Sequence, residues 1–137
     1  MARMTYSAIV VTGLCIGALA GGAAAAEVDV TLSGANEVPA VKTMARGEGK
    51  ITVGDDGTIS GTVTTTGLSS TMAHIHMGGA GQNGHPIVSL LKKGDTFEVP
   101  PGTKLDAAQM KAFKAGDLYI NVHSAEHMGG EIRGQLK

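Results

Sequence analysis

Short runs in which apolar and polar residues alternate strictly, set between turn signals, limit the folds open to this chain more than any other feature. Val28-Asp29-Val30-Thr31-Leu32 and Leu118-Tyr119-Ile120-Asn121-Val122-His123 both alternate with a period of two. Successive side chains of a strand point to opposite faces, so each run reads as a strand with one apolar face. Ile51-Thr52-Val53 and residues 59–63 flank Gly54-Asp55-Asp56-Gly57, where Asp and Gly accept the backbone of a tight hairpin turn. Residues 73–76, 86–91, 96–99 and 131–136 read as further strands, with Lys92-Lys93-Gly94-Asp95 as a turn. Gly34 to Pro39 reads as a loop, since Pro39 has no N–H for a ladder. One helix is expected over about 106–115. Asp106 and Gln109 form a capping box, Leu105 can staple to Met110, Met110 and Phe113 share a face, and Gly116 ends it. The sum is an all-β fold: an antiparallel Greek-key sandwich or barrel with one short helix.

Composition sharpens this once the first 26 residues are set apart. They hold 18 of the 58 hydrophobic residues and one charge, Arg3. An apolar run over 8–19 followed by Ala24-Ala25-Ala26 has the form of a secretory signal peptide cleaved after Ala26. The run is shorter than the ~20 residues a membrane span needs. Leu14 stands before Cys15 where a lipid-anchor site wants a small residue. The expectation is therefore a removed segment 1–26 and one domain over 27–137, periplasmic or secreted, with no stable membrane insertion. Without Cys15 that domain has no thiol, which excludes a disulfide, a cysteine zinc site and a cysteine nucleophile. Residues 27–137 carry a formal net charge of −2 and 17 glycines, with only Phe97, Phe113 and Tyr119 as aromatics. A nucleic-acid binder is excluded by that charge, and the core must be aliphatic.

The chemistry-bearing residues are the five histidines, all C-terminal of residue 73. On a strand, His74 and His76 share a face about 6.5–7 Å apart, close enough to converge on one cation, while Ile75 faces the core. His123 ends an alternating strand, and His127 follows across a turn. Neutral imidazole ligates copper, zinc or nickel, and thioethers favour Cu(I). The candidate metal set is therefore His74, His76, His123 and His127, with His85 and Met72 as completing ligands; Met77 and Met128 are weaker candidates. Copper is the expected ion, with zinc as the alternative. No catalytic residue is assigned. Ser124 beside His123 has poor nucleophile–base geometry, because neighbours on a strand point apart. The stretch Gly78 to Gly84 lacks the Lys-Ser/Thr of a phosphate loop and reads as a turn beside the His pair.

Leu32-Ser33-Gly34-Ala35-Asn36-Glu37-Val38-Pro39, Ala73-His74-Ile75-His76-Met77-Gly78, and Tyr119 to Ser124 with Gly129-Gly130-Glu131-Ile132-Arg133-Gly134-Gln135-Leu136 form three marked segments. Together they resemble the CHRD (chordin) domain family, in its bacterial secreted form. The resemblance spans residues 27–137 and implies an extracellular or periplasmic domain; animal members sit in a growth-factor antagonist. His74, His76, His123 and His127 fall in the matching segments, and His85 reads as an addition. A fainter similarity to copper/zinc superoxide dismutase implies a Greek-key β-fold and would make Arg133 the candidate for steering a substrate. A shared fold does not carry the reaction with it. The sequence thus points to a metal-binding domain that sequesters or delivers its ion, with a periplasmic or extracellular protein as a further partner. A redox enzyme and a metal-free interaction module are the alternatives.

Overall fold

The structure, a computed structural model, describes residues 24–137. The expected signal peptide and Cys15 fall almost wholly outside them. Nine strands and one helix follow in order: β1 Ala25–Ser33, β2 Arg46–Gly54, β3 Ile59–Thr66, β4 Ser70–Met77, β5 His85–Ser89, β6 Leu91–Lys93, β7 Thr96–Glu98, α1 Ala107–Ala115, β8 Leu118–Ser124 and β9 Ile132–Gln135. All pairings are antiparallel, in one sheet of order β5-β4-β8-β9-β1-β2-β3-β7-β6. β9 returns to lie beside β1, the long-range return of a Greek key. The two edge strands, β5 and β6, are consecutive and meet at Leu90, whose N–H donates to the Ala73 carbonyl at 3.0 Å. The sheet therefore curls into a nearly closed barrel.

Its interior is aliphatic, as the composition required. Leu32, Ile51, Ile59, Val63, Ile75, Leu118, Ile120, Val122, Ile132 and Leu136 are fully buried, and Phe97 is the one aromatic among them. Helix α1 forms over the expected span. Asp106 accepts from Gln109 N at 2.8 Å, Gln109 Oε1 accepts from Asp106 N at 2.9 Å, and Gly116 caps the end at φ 78°. Met110 and Phe113 rest against the core.

Several strand boundaries differ from the expectation, and three of the differences trace to pairing or packing. β2 begins at Arg46, because Gly47 and Gly49 pair with Leu32 and Val30 despite breaking the alternation. The run over 86–91 is two strands, broken where Leu90 turns inward. Lys92 and Lys93 belong to β6, paired with Phe97 and Thr96, so the turn is confined to Gly94 and Asp95.

Candidate metal centre

The histidines lie outside the barrel wall. In β4, Ala73 and Ile75 point into the barrel, so His74 and His76 point out. In β8, Leu118, Ile120 and Val122 point in, and Tyr119, Asn121 and His123 point out; in β9, Ile132 points in and Arg133 out. Yet this outer layer is buried too. Tyr119, Asn121, His123 and Arg133 are at most 8% exposed, and His76 is 9% exposed. The segments 34–43 and 78–84 are tied together over it by Asn83 Nδ2, which donates to the Val38 carbonyl at 2.8 Å.

Three imidazoles converge there. One ligand nitrogen from each of His74, His76 and His123 lies within 4.8 Å of the other two. The register sets this up: Met72 sits opposite His123, His74 opposite Asn121 and His76 opposite Tyr119, which places His123 diagonally across from His74. His74 Nδ1 and His123 Nε2 are 3.0 Å apart. Backbone carbonyls fix two of the rings, with His76 Nδ1 donating to Gly84 O at 2.9 Å and His123 Nδ1 to Met128 O at 2.8 Å. A neutral imidazole that donates from Nδ1 keeps its lone pair on Nε2. His123 Nε2 then accepts from His74 Nδ1, while His76 Nε2 is buried with no hydrogen-bond partner. Burial, then the His123 and His76 rings, hold His74 below the usual histidine range. Burial also lowers His76, against the upward pull of its Gly84 bond. Both shifts favour the neutral, ligating form.

A stack supports His76. Tyr119 lies parallel to it, with centroids 4.8 Å apart, and the Arg133 guanidinium covers the other face of Tyr119 at 3.4 Å. Arg133 is 1% exposed and donates from Nη2 to Gly79 O and Gln82 O, each at 2.8 Å, and to Gln135 Oε1 at 3.0 Å. It clamps the glycine-rich loop over the site. Arg133, which the superoxide dismutase similarity would make a steering cation, is here buried and bound to loop carbonyls. Glycine at 84 is a steric requirement, since a Cβ would stand 1.7 Å from the Met77 carbonyl oxygen. Gly130, at φ +121°, leaves the room taken by Glu37 Oε1 and Asn121 Nδ2, each 2.5 Å from where its Cβ would be. Glu37 is 7% exposed, and burial raises its carboxyl against the opposing effects of Arg133 and Asn121.

Of the other expected ligands, His127 and His85 lie away from the cluster and Met72 lies at its edge. His127 groups with Glu126 and Glu131 instead, because the 124–130 turn carries it past the end of β8. His85 is exposed at the start of β5, paired with Met77 and one rung beyond His76. Met72 is half exposed beside His123. Ser124 donates to Glu131 Oε1 at 2.7 Å, so its hydroxyl is engaged away from His123. Tyr119, Asn121, Arg133 and Glu37 complete this layer, whose burial is not marked by alternation along the chain. The available signal was polar residues on the alternate positions of β8 and β9, which reads equally as a solvent face.

No helix among the described residues is long and apolar enough to cross a membrane. No curated protein and no solved structure matches the chain at a meaningful level. The family model of the CHRD domain, by contrast, matches residues 28–136, from Val28 in β1 to the buried Leu136. With that match over most of its length, the chain belongs to the CHRD domain family.

Proposed function

We propose that this domain binds a transition-metal ion through His74, His76 and His123, copper before zinc, and that it sequesters or hands on the ion in the periplasm or outside the cell. The observation that carries this reading is His76 Nε2, a buried ring nitrogen without a partner in a cluster of three imidazoles. A buried lone pair with no donor costs free energy. A cation held among the three rings removes that cost. Nitrogens bound at about 2.0–2.1 Å to one ion sit roughly 2.9–3.4 Å apart at angles between square and tetrahedral. The 3.0 Å between His74 Nδ1 and His123 Nε2 fits that range, and an ion there requires His74 to carry its proton on Nε2 instead of Nδ1. The carbonyl bonds at Nδ1 of His76 and His123 match the way metal-bound imidazoles are commonly oriented. Three neutral imidazoles suit copper or zinc, and the thioether of Met72 alongside tips the choice to copper.

Competition titrations of the purified protein with Cu(II), Zn(II) and Cu(I) test this. Binding well below micromolar is expected, lost in the His74→Ala/His76→Ala variant and accompanied by a higher Tm, since a ligand confined to the folded state stabilises it. The absence of any site tighter than micromolar, or indifference to the double substitution, refutes the reading. One observation favours a second reading: His74 and His123 satisfy each other by a hydrogen bond without any ion. In that case the histidines are structural, and the same titration returns no metal.

A further inference from the structure

We infer that Met72 and Met128 form a thioether mouth on the histidine site, through which it takes copper as Cu(I). This rests on the histidine-site reading above and adds the oxidation state of the cargo and two ligands. Among the described residues, four large apolar side chains are exposed: Met44, Met72, Leu91 and Met128. Two of these, Met72 at 50% and Met128 at 83%, line a single hollow of about 280 Å³ together with His123. Thr71, Ser124 and Ala125 complete its wall.

Two separate features bring these methionines there. Met72 is the cross-strand partner of His123, and side chains directly opposite in an antiparallel pair have Cβ atoms about 4.5–5.5 Å apart. Met128 is tied to the same ring, because its own carbonyl accepts the His123 Nδ1 proton at 2.8 Å. The ring that turns its lone pair toward His74 and His76 is therefore flanked on the solvent side by two flexible, polarizable thioethers. Thioethers add little for Zn(II) but bind Cu(I) well. The arrangement selects the monovalent ion at the entrance and leaves the imidazoles to hold it. An apolar docking hollow for a protein would have the same shape, but it would need only the area of these side chains and not the sulfur.

Leucine keeps that area and removes the sulfur, which decides between the two. Cu(I) partition against a chromophoric chelator is measured anaerobically for the full chain, for Met72→Leu/Met128→Leu and for Met44→Leu, with Zn(II) partition in parallel. The double variant is expected to lose about tenfold or more in Cu(I) affinity while Zn(II) stays within about twofold. Met44→Leu should change neither. Ag(I), a redox-inert stand-in, should shift the ε-methyl NMR signals of Met72 and Met128 and leave Met44 in place. Unchanged Cu(I) affinity in the double variant, with both methyl signals unmoved by Ag(I), overturns the thioether mouth even where Zn(II) still binds the histidines. Wild-type protein that binds neither Zn(II) nor Cu(I) overturns the histidine site, and this inference with it.

Discussion

The glycine-rich loop is the part of the site most open to a decisive test. Gly84→Ala places a Cβ 1.7 Å from Met77 O, 2.5 Å from Met77 C and 3.1 Å from Gly78 N, all backbone atoms that no rotamer change can move aside. Clearing the oxygen to the 3.0 Å below which real Cβ contacts do not occur takes at least about 1.3 Å of main-chain movement. The bond from His76 Nδ1 to Gly84 O, now 2.9 Å, lengthens beyond hydrogen-bonding range under such a shift. Losing that bond costs roughly 0.5–1.5 kcal/mol and leaves the imidazole free to exchange tautomers. Loss of an orienting partner to a metal-bound histidine typically weakens affinity about 10–100-fold, equivalent to roughly 1.4–2.7 kcal/mol. Metal competition on Gly84→Ala should show that loss, and nitrogen-resolved NMR of His76 should show both tautomers. Gly129→Ala is the control, since nothing lies within 4 Å of its Cβ. Wild-type affinity and a single His76 tautomer in Gly84→Ala would refute the claim that the loop carbonyl orients the ligand.

Three further outcomes follow from the same structure. His74 and His76 bind protons more weakly when folded than at their usual 6.5, so metal-free stability is full above about that pH and falls as pH drops through the folded values; urea midpoints that stay flat from pH 8 to 5 contradict this. Glu37 is shifted the other way from 4.5, so its contribution is full below that value and is lost as pH rises through the folded pKa. Glu37→Gln should therefore raise Tm at pH 7, and a lowered Tm counts against it. Asp106→Ala removes the side-chain half of the capping box, the acceptor for Gln109 N, and should cost about 1 kcal/mol, a fall of roughly 3–6 °C in a thermal melt, whereas no measurable fall would mean the helix end is held by other contacts.

What could be read from the chain was what is local. β1, β8, the β2–β3 hairpin and α1 each carry their own signal: a period of two, a Gly-Asp-Asp-Gly turn, or a reciprocal cap three residues apart. Local signals mislead where pairing at a distance overrides local chemistry. Gly47 and Gly49 are poor strand formers, yet nine rungs of ladder with β1 carry them. Lys92 and Lys93 look like turn residues, but they stand opposite Phe97 and Thr96 on an edge strand, where charge is tolerated because one side faces water. Leu90 ends β5 early because its N–H and side chain are both claimed inside, the N–H by Ala73 and the side chain by the core.

The histidine site shows the limit of such reading most clearly. Alternation says that the two faces of β8 differ in polarity; it does not say that the polar face meets water. All seven residues of β8 are buried, on both faces. The cover comes from segments 34–43 and 78–84, held down by Arg133 from a strand more than 50 residues further on. This cover changes the chemistry of His74 and His76. On an open strand an imidazole is solvated, but here burial shifts both toward the neutral form and a loop carbonyl turns the His76 ring. His85 and His127 serve as internal comparisons. Both come from the same histidine-bearing stretch, but one stands exposed on β5 and the other in a turn with two carboxylates, and neither joins the cluster. The fold therefore selects three of the five histidines by strand face and cross-strand register, criteria that spacing along the chain does not contain.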